Sequence, residues 1–293
     1  MTPEPPAHLP IAEWLYVNTG LIWATRREIE EPSLDAVYSA DNQVITWLVK
    51  EGEVTMKTPA GSAVAGQGDW MFPGSRKGRQ TFRPGSVVLS LRFFAEWPTG
   101  KALFDHRDVI VFPAKADPQL TRAAEALESL VRRVAGRNGF FLLTQGTADV
   151  ESYFAIRCAF EKWMLAYVRR MLALGNTPSV MSSTDPQVLR AARLIDNRTL
   201  REPLREAEIA RGAGLSVSQL NRLFTRDLGM SPKKYLQRRR LQSAILLLQN
   251  QRRSIKEAAY ELGFGSISNF SNWFFRQKGV YPKAFLKGQT GAD

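Results

Sequence analysis

The sequence predicts an α+β chain: an N-terminal β-barrel or sandwich, two helices after it, and then an all-α domain of two helix-turn-helix units. Three observations predict this. Residues 20–112 hold short β-rich runs broken by Gly and Pro. Two amphipathic stretches follow. The last third then writes one pattern twice: Phe224, Arg226, Gly229, Pro232, Lys233 and Leu236 return fifty residues later as Phe274, Arg276, Gly279, Pro282, Lys283 and Leu286. A fixed period of this kind marks duplicated supersecondary units. With 293 residues, 44% of them hydrophobic, the chain has room for two domains with real cores.

The opening stretch MTPEPPAHLP lacks a basic region followed by an apolar one. Residues 1–18 are therefore expected as a loose, proline-stiffened tail and not a secretory signal. No apolar run approaches the ~20 residues of a membrane span, so no membrane partner is expected. Over residues 19–174 the runs VITWLV, EVTMKT, GDWMFPG, SVVLSLRFF and DVIVFPA read as strands. Val54 and Met56 alternate with Thr55 and Lys57, the period of a half-buried strand. KEGE and PAGSAVAGQGD read as turns. Short strands at such close spacing suggest a sandwich or small barrel.

Two helices complete this region. PQLTRAAEALESLVRRVAG places Leu120, Ala123, Leu127, Leu130 and Val134 on one side. DVESYFAIRCAFEKWMLAYVRRML is longer, with Phe154, Cys158, Trp163 and Leu165 among its apolar residues, and is expected to pack against the barrel. Cys158 is the one cysteine, so no internal disulfide forms; a packed thiol and a reducing, cytoplasmic setting are expected. GNTPSVMSSTDP, rich in Gly, Pro and Ser, marks a linker over residues 175–184.

The domain over residues 185–288 reads as a string of helices. Asp185-Pro186 is a cap with proline at the first helical position. Val188, Leu189, Ala192 and Ile195 then recur at helical spacing. EAEIARG makes a short second helix, stopped near Gly212 and Gly214. Ser216 caps a third, with Leu220, Leu223, Phe224 and Leu228 as its stripe, and Gly229 ends it. Ser231-Pro232 opens a fourth; run to Leu248 it is roughly 25 Å long. The second copy starts with Ser254 and Glu257 at capping-box spacing. Its first helix ends near Gly263. Ser266 caps the next, with Phe270, Trp273 and Phe274 buried, and Gly279 ends it. A last short helix starts near Pro282.

Each copy is thus a short helix, a glycine turn and a second helix, the helix-turn-helix arrangement. The small residues Ala210 and Ala259 let the second helix cross closely. Its free face holds Ser218, Asn221, Arg222 and Thr225 in copy one, and Ser268, Ser271, Asn272 and Phe275 in copy two. Asparagine pairs with adenine, arginine with guanine and serine with either in a DNA major groove. A stiff connecting helix could set two such faces about one turn of DNA, ~34 Å, apart. The charge agrees. From Ser183 onward there are 20 Lys and Arg against 9 Asp and Glu, so +11 of the net +12 lies in this third. Such asymmetry points to a polyanion partner.

The strings IARGAGLSVSQLNRLFTRDLGMSPKKYLQRRRLQSAILLL and SIKEAAYELGFGSISNFSNWFFRQKGVYPKAF resemble the DNA-binding domain of the AraC/XylS family of bacterial transcription regulators. The resemblance runs from near Asp185 to Leu286. It implies double-stranded DNA as partner, with each reading helix in a major groove. By motif position, Ser218, Asn221 and Arg222 fall where the first module contacts bases. Ile267, Ser268, Asn269, Ser271 and Asn272 fall at the matching places of the second. Two departures stand out. Tyr281 precedes Pro282 where the family often has serine, and the second reading face lacks Arg and Lys, with Asn272 where a basic residue is common. The second module is therefore expected mostly to position the protein on the backbone, since phosphate contacts carry no sequence information. Lys233, Lys234, Arg238, Arg252, Arg253, Arg276 and Lys283 are the phosphate candidates. The resemblance further implies a cupin-like effector half, a homodimer contact through its helices, and RNA polymerase as a partner of an activator.

Five of the seven tryptophans precede residue 100. Aromatic rings at a barrel mouth could hold a small effector, a sugar or an anionic metabolite. Trp23, Trp47, Trp70, Phe72, Arg83 and Arg92 are the candidates. Catalysis is not expected. His8 and His106 are the only histidines, which suits zinc or iron poorly, so no metal and no cofactor is expected. No nucleophile–base pair stands out either. The alternative is a DNA-binding regulator whose barrel is an oligomerisation scaffold, controlled by a protein partner or by abundance.

Overall fold

The computed structural model describes residues 8–29, 35–38, 43–75, 77–135, 147–180, 185–248 and 254–287. The chain divides into two compact units between Val180 and Met181.

Two antiparallel sheets build the first unit. One holds β1 (Asn18–Glu28), β8 (Val87–Glu96), β3 (Val44–Glu51), β6 (Asp69–Phe72) and β9 (Ile110–Pro113), in that spatial order. The other holds β2 (Asp35–Tyr38), β7 (Gly78–Phe82), β4 (Glu53–Thr58) and β5 (Gly61–Gly66). Two helices follow, α2 (Pro118–Ala135) and α3 (Val150–Ala173); a single turn, α1 (Ile11–Trp14), precedes β1.

The five-stranded sheet is the middle of three layers, and its sequence explains why. Alternate strand residues point to opposite faces. Trp47, Val49, Met71 and Val88 join Val54, Met56, Ala65 and Phe82 of the other sheet in one core. Leu48, Trp70, Phe72, Leu89, Leu91 and Phe93 join Leu120 and Leu127 of α2 and Phe160, Trp163 and Tyr167 of α3 in a second. Strands buried on both faces read as continuous apolar runs, which is what TWLV and VVLSL are. Ring geometry fixes α3 on the sheet: Phe93 meets Trp163 edge-on at 4.8 Å and Tyr167 at 5.1 Å.

Several expectations change here. NTGLIWATRRE lies outside the expected strands, yet it is β1, held along most of its length by β8. PAGSAVAGQGD is expected as a turn, yet its centre is β5, with Ala65 fully buried. The expected loose tail contributes α1, and Trp14 lies 5.7 Å from Trp97. The expected linker starts late: Ser179 donates its backbone N–H to Leu103 O, and its own carbonyl accepts from the Trp97 indole at 2.7 Å. On α3, Trp163 is buried as expected, but Phe154 and Leu165 are 56% and 52% exposed and Cys158 is exposed too. The sheet takes one side of α3, and these three lie on the other.

The second unit is all helix: α4 (Pro186–Asp196), α5 (Glu206–Ala213), α6 (Val217–Leu228), α7 (Pro232–Leu248), α8 (Ile255–Glu261), α9 (Ile267–Lys278) and α10 (Pro282–Lys287). The caps do what their residue types dictate. Asp185 accepts from the Gln187 N–H, with proline at the first helical position. Ser216 with Gln219, and Ser254 with Glu257, close full capping boxes. The two modules pack alike. Phe224 meets Tyr235 edge-on at 5.5 Å, and Phe274 meets Phe285 at 5.4 Å.

Candidate nucleic-acid interface

The helix-turn-helix geometry is built from α5–α6 and again from α8–α9. Ala210 and Ala259 are fully buried where the paired helices cross. Leu220, Leu223, Phe224 and Leu228 bury one side of α6; Phe270, Trp273 and Phe274 do so for α9. The opposite sides are left to solvent.

On α6, Arg222 is exposed, and among the described residues its guanidinium has no ion pair. Ser218 is exposed, its hydroxyl 3.1 Å from that of the capping Ser216. Asn221 differs from expectation. Its amide nitrogen donates to Glu206 Oε2 at 2.8 Å and to the Val217 carbonyl at 3.1 Å. Bidentate reading of adenine needs that amide as donor. As placed, Asn221 braces α6 against the start of α5, with its amide hydrogens engaged within the domain. Glu206 is fifteen residues away, so no local pattern signals the contact.

On α9, Ile267, Ser268, Asn269 and Asn272 are exposed and Ser271 is half-buried. Phe275, one turn further, is 41% exposed and stacks on Tyr281 at 4.6 Å with ring planes 21° apart. Tyr281, the residue that replaces a capping serine, thus supplies a ring instead of a hydroxyl. The second reading face is polar at its start and aromatic at its end.

Of the phosphate candidates, Lys233, Lys234, Arg276 and Lys283 are exposed and Arg238 is half-buried; Arg252 and Arg253 lie outside the described residues. The two arginines that follow Arg238 turn inward. Arg239 bonds the carbonyls of Ile195 and Asp196 and pairs with the Asp196 carboxylate at 3.0 Å, so it caps the C-terminal end of α4. Arg240 donates to the Leu200 carbonyl and lies 5.7 Å from the Phe264 ring, and burial lowers its pKa. Asp196 also accepts from the Tyr235 hydroxyl at 3.1 Å. Burial raises the Asp196 pKa even though Arg239 opposes it.

The effector candidates do not form one site. Trp70 and Phe72 are fully buried against the helices, and Trp47 is buried between the sheets, 5.4 Å from Phe82. These three are core, because a β-strand buried on both faces has no side left for a ligand. Arg83 faces Glu53 at 3.6 Å on the surface. Trp23 and Arg92 do come together: they are register partners, with the guanidinium 4.8 Å from the indole ring and the indole N–H on Ser90 Oγ. Among the described residues no cluster of His, Cys, Asp and Glu could hold a metal ion, and no helix is long and apolar enough to cross a membrane.

Residues 209–288 match a family model described as a helix-turn-helix domain. The chain is 34% identical over 80 residues to an uncharacterised HTH-type transcriptional regulator, YdeC, of Bacillus subtilis, covering 27% of this chain and 28% of that one. It is 34% identical over 77 residues to the HTH-type transcriptional activator RhaS of Shigella boydii, covering 26% and 28%. The chain thus spans under a third of these relatives' length. A solved AraC-type regulator from Chromobacterium violaceum shares 33% identity, covers 36% of this chain and 94% of its own, and superposes with a TM-score of 0.33.

Proposed function

We propose that the second unit, whose residues 209–288 match a helix-turn-helix model, is a DNA-binding domain of the AraC type, and that the protein is a cytoplasmic, sequence-specific DNA-binding regulator of transcription under the control of a small-molecule effector. One observation carries the DNA reading. Two reading helices each bury one side and leave a polar side to solvent, within the stretch from Ser183 onward that holds +11 of the chain's +12 net charge. In this reading Arg222 and Ser218 read bases from α6. Ser268, Ser271 and Asn272 touch the second groove with less discrimination. Lys233, Lys234, Arg276 and Lys283 hold phosphates.

The test is a binding titration on a DNA site selected from a random pool. Arg222→Ala is expected to cost ~1–3 kcal/mol on that site and to relax base preference at one position. Asn272→Ala is expected to leave base preference nearly unchanged. Equal losses on all sequences for Arg222→Ala would refute base reading by that residue.

For the effector, a sugar needs an accessible aromatic plane, and Trp23 is the one ring of the four nominated that is not core. A sugar or anionic metabolite on Trp23 and Arg92 is the narrower form of the reading. A second reading has its own support: the exposed side of α3 carries Phe154, Leu165 and Leu172, so the first unit could serve as a homodimer scaffold controlled by abundance or a partner. A ligand screen by thermal shift separates the two. Contact with RNA polymerase would follow from an activator role.

A further inference from the structure

A cavity of about 680 Å³ opens in the first unit between the start of β1, the end of α2 and the first turns of α3. That is the size of a small-molecule site. Neither Trp23 nor Arg92 lines it. Its floor is apolar: Leu21 from β1, Val134 from α2, and the buried Ile156 and Phe160 from α3. Its rim carries Arg157 and the acidic Glu161 and Asp149. Arg157 and Glu161, four residues apart on one helix, share a side, yet no ion pair joins them. Arg157 lies 3.4 Å from the Tyr153 hydroxyl, and Glu161 accepts from the Thr19 hydroxyl at 3.3 Å. Asp149, also on the rim, is committed elsewhere: its two oxygens accept from the backbone N–H and the hydroxyl of Ser152.

A guanidinium and a carboxylate one helical turn apart on the rim of an apolar floor match one ligand chemistry. A carboxylate can take the guanidinium in a charge-assisted, bidentate bond. An ammonium on the neighbouring carbon can take the carboxylate, and an apolar side chain then reaches the floor. A ligand with a carboxylate alone would set it beside Glu161, and one with an amine alone would set it beside Arg157. We propose that this cavity binds a free amino acid with a large apolar side chain, its carboxylate on Arg157 and its ammonium on Glu161. The proposal rests on the reading that the first unit takes an effector, and it names a zwitterion in this cavity as that effector in place of a sugar or anionic metabolite on Trp23 and Arg92.

Calorimetric titration of the full chain tests it with L-phenylalanine and L-leucine as probes, against 3-phenylpropionate and 2-phenylethylamine, which each lack one charge. Saturable binding of at least one amino acid is expected, with both analogues at least tenfold weaker. Arg157→Gln and Glu161→Gln, both at exposed positions, are each expected to weaken the amino acid tenfold or more. No saturable binding of either amino acid up to about 10 mM overturns the proposal, as does binding of the analogues as tight as that of L-phenylalanine. DNA affinity, measured with and without the bound amino acid, separates this proposal from the broader reading. If the amino acid binds as described and DNA affinity stays unchanged, the site stands and effector control through it falls. If another ligand shifts DNA affinity while Arg157→Gln leaves that shift intact, effector control stands and this site falls.

Discussion

Asp227 shows how one carboxylate can hold a helix end. Its side chain is 3% exposed, accepts from the Asp185 backbone N–H at 2.8 Å, and pairs with Arg226. The hydrogen bond from Arg226 is the main reason its pKa is lowered, with the Asp185 N–H adding to it against burial. The sign follows. A carboxyl whose folded pKa lies below its unfolded value, about 3.9, adds stability that is present above that value and is lost as pH falls through the folded pKa. Asp196 works the other way. Its pKa is raised by burial, so its ionisation weakens the fold as pH rises above the unfolded value. Asp227→Asn should therefore flatten the acid limb of a stability-against-pH curve, read by fluorescence-detected melts from about pH 5 down to about pH 3. Parallel curves for the two proteins would show that the ion pair has no such role. Neither contact is a local sequence signal: Asp185 and Asp227 are forty-two residues apart, Asp196 and Tyr235 thirty-nine.

Among the elements, the two glycines that end α6 and α8 predict different costs. Gly229 has φ 68°, and a Cβ there would meet nothing within 4 Å. Gly263 has φ 80°, and a Cβ would lie 2.5 Å from the Arg201 carbonyl oxygen. Gly229→Ala should cost only the left-handed backbone, about 1–2 kcal/mol. Gly263→Ala should cost more, since backbone must also move. Urea titrations of the full chain compare them, and equal midpoints would contradict the close approach. Both stops were legible in the sequence, as were the serine caps, because caps and glycine stops are written within a few residues of one another. The strands were less so. β5, GSAVAG, is made of small residues with glycine at both ends, and only its partner β4 makes it a strand. The candidate interface was legible as a face, since Arg222 and Asn272 follow from helical period alone. It was not legible as a set of free groups, because the bond from Asn221 to Glu206 crosses the turn between two helices.

At the scale of the whole molecule, the exposed side of α3 asks for a partner. Phe154, Cys158, Leu165 and Leu172 fall on one stripe at helical spacing, and three of them are large apolar side chains open to solvent. An unpaired stripe of this kind is the usual mark of a contact between chains. We predict a dimer for the full chain and a monomer for Leu165→Glu by sedimentation equilibrium, with the variant's helix and strand content unchanged by circular dichroism; a monomeric parent at every concentration would remove the stripe from consideration. The three-layer build of the first unit has a further consequence. The centre of its middle sheet has no wet side, so neither side of Trp47–Val49 or Leu89–Leu91 can yield to lysine without emptying a core. Backbone amides there should be the last to take up deuterium, and they mark where the first unit opens only by coming apart completely.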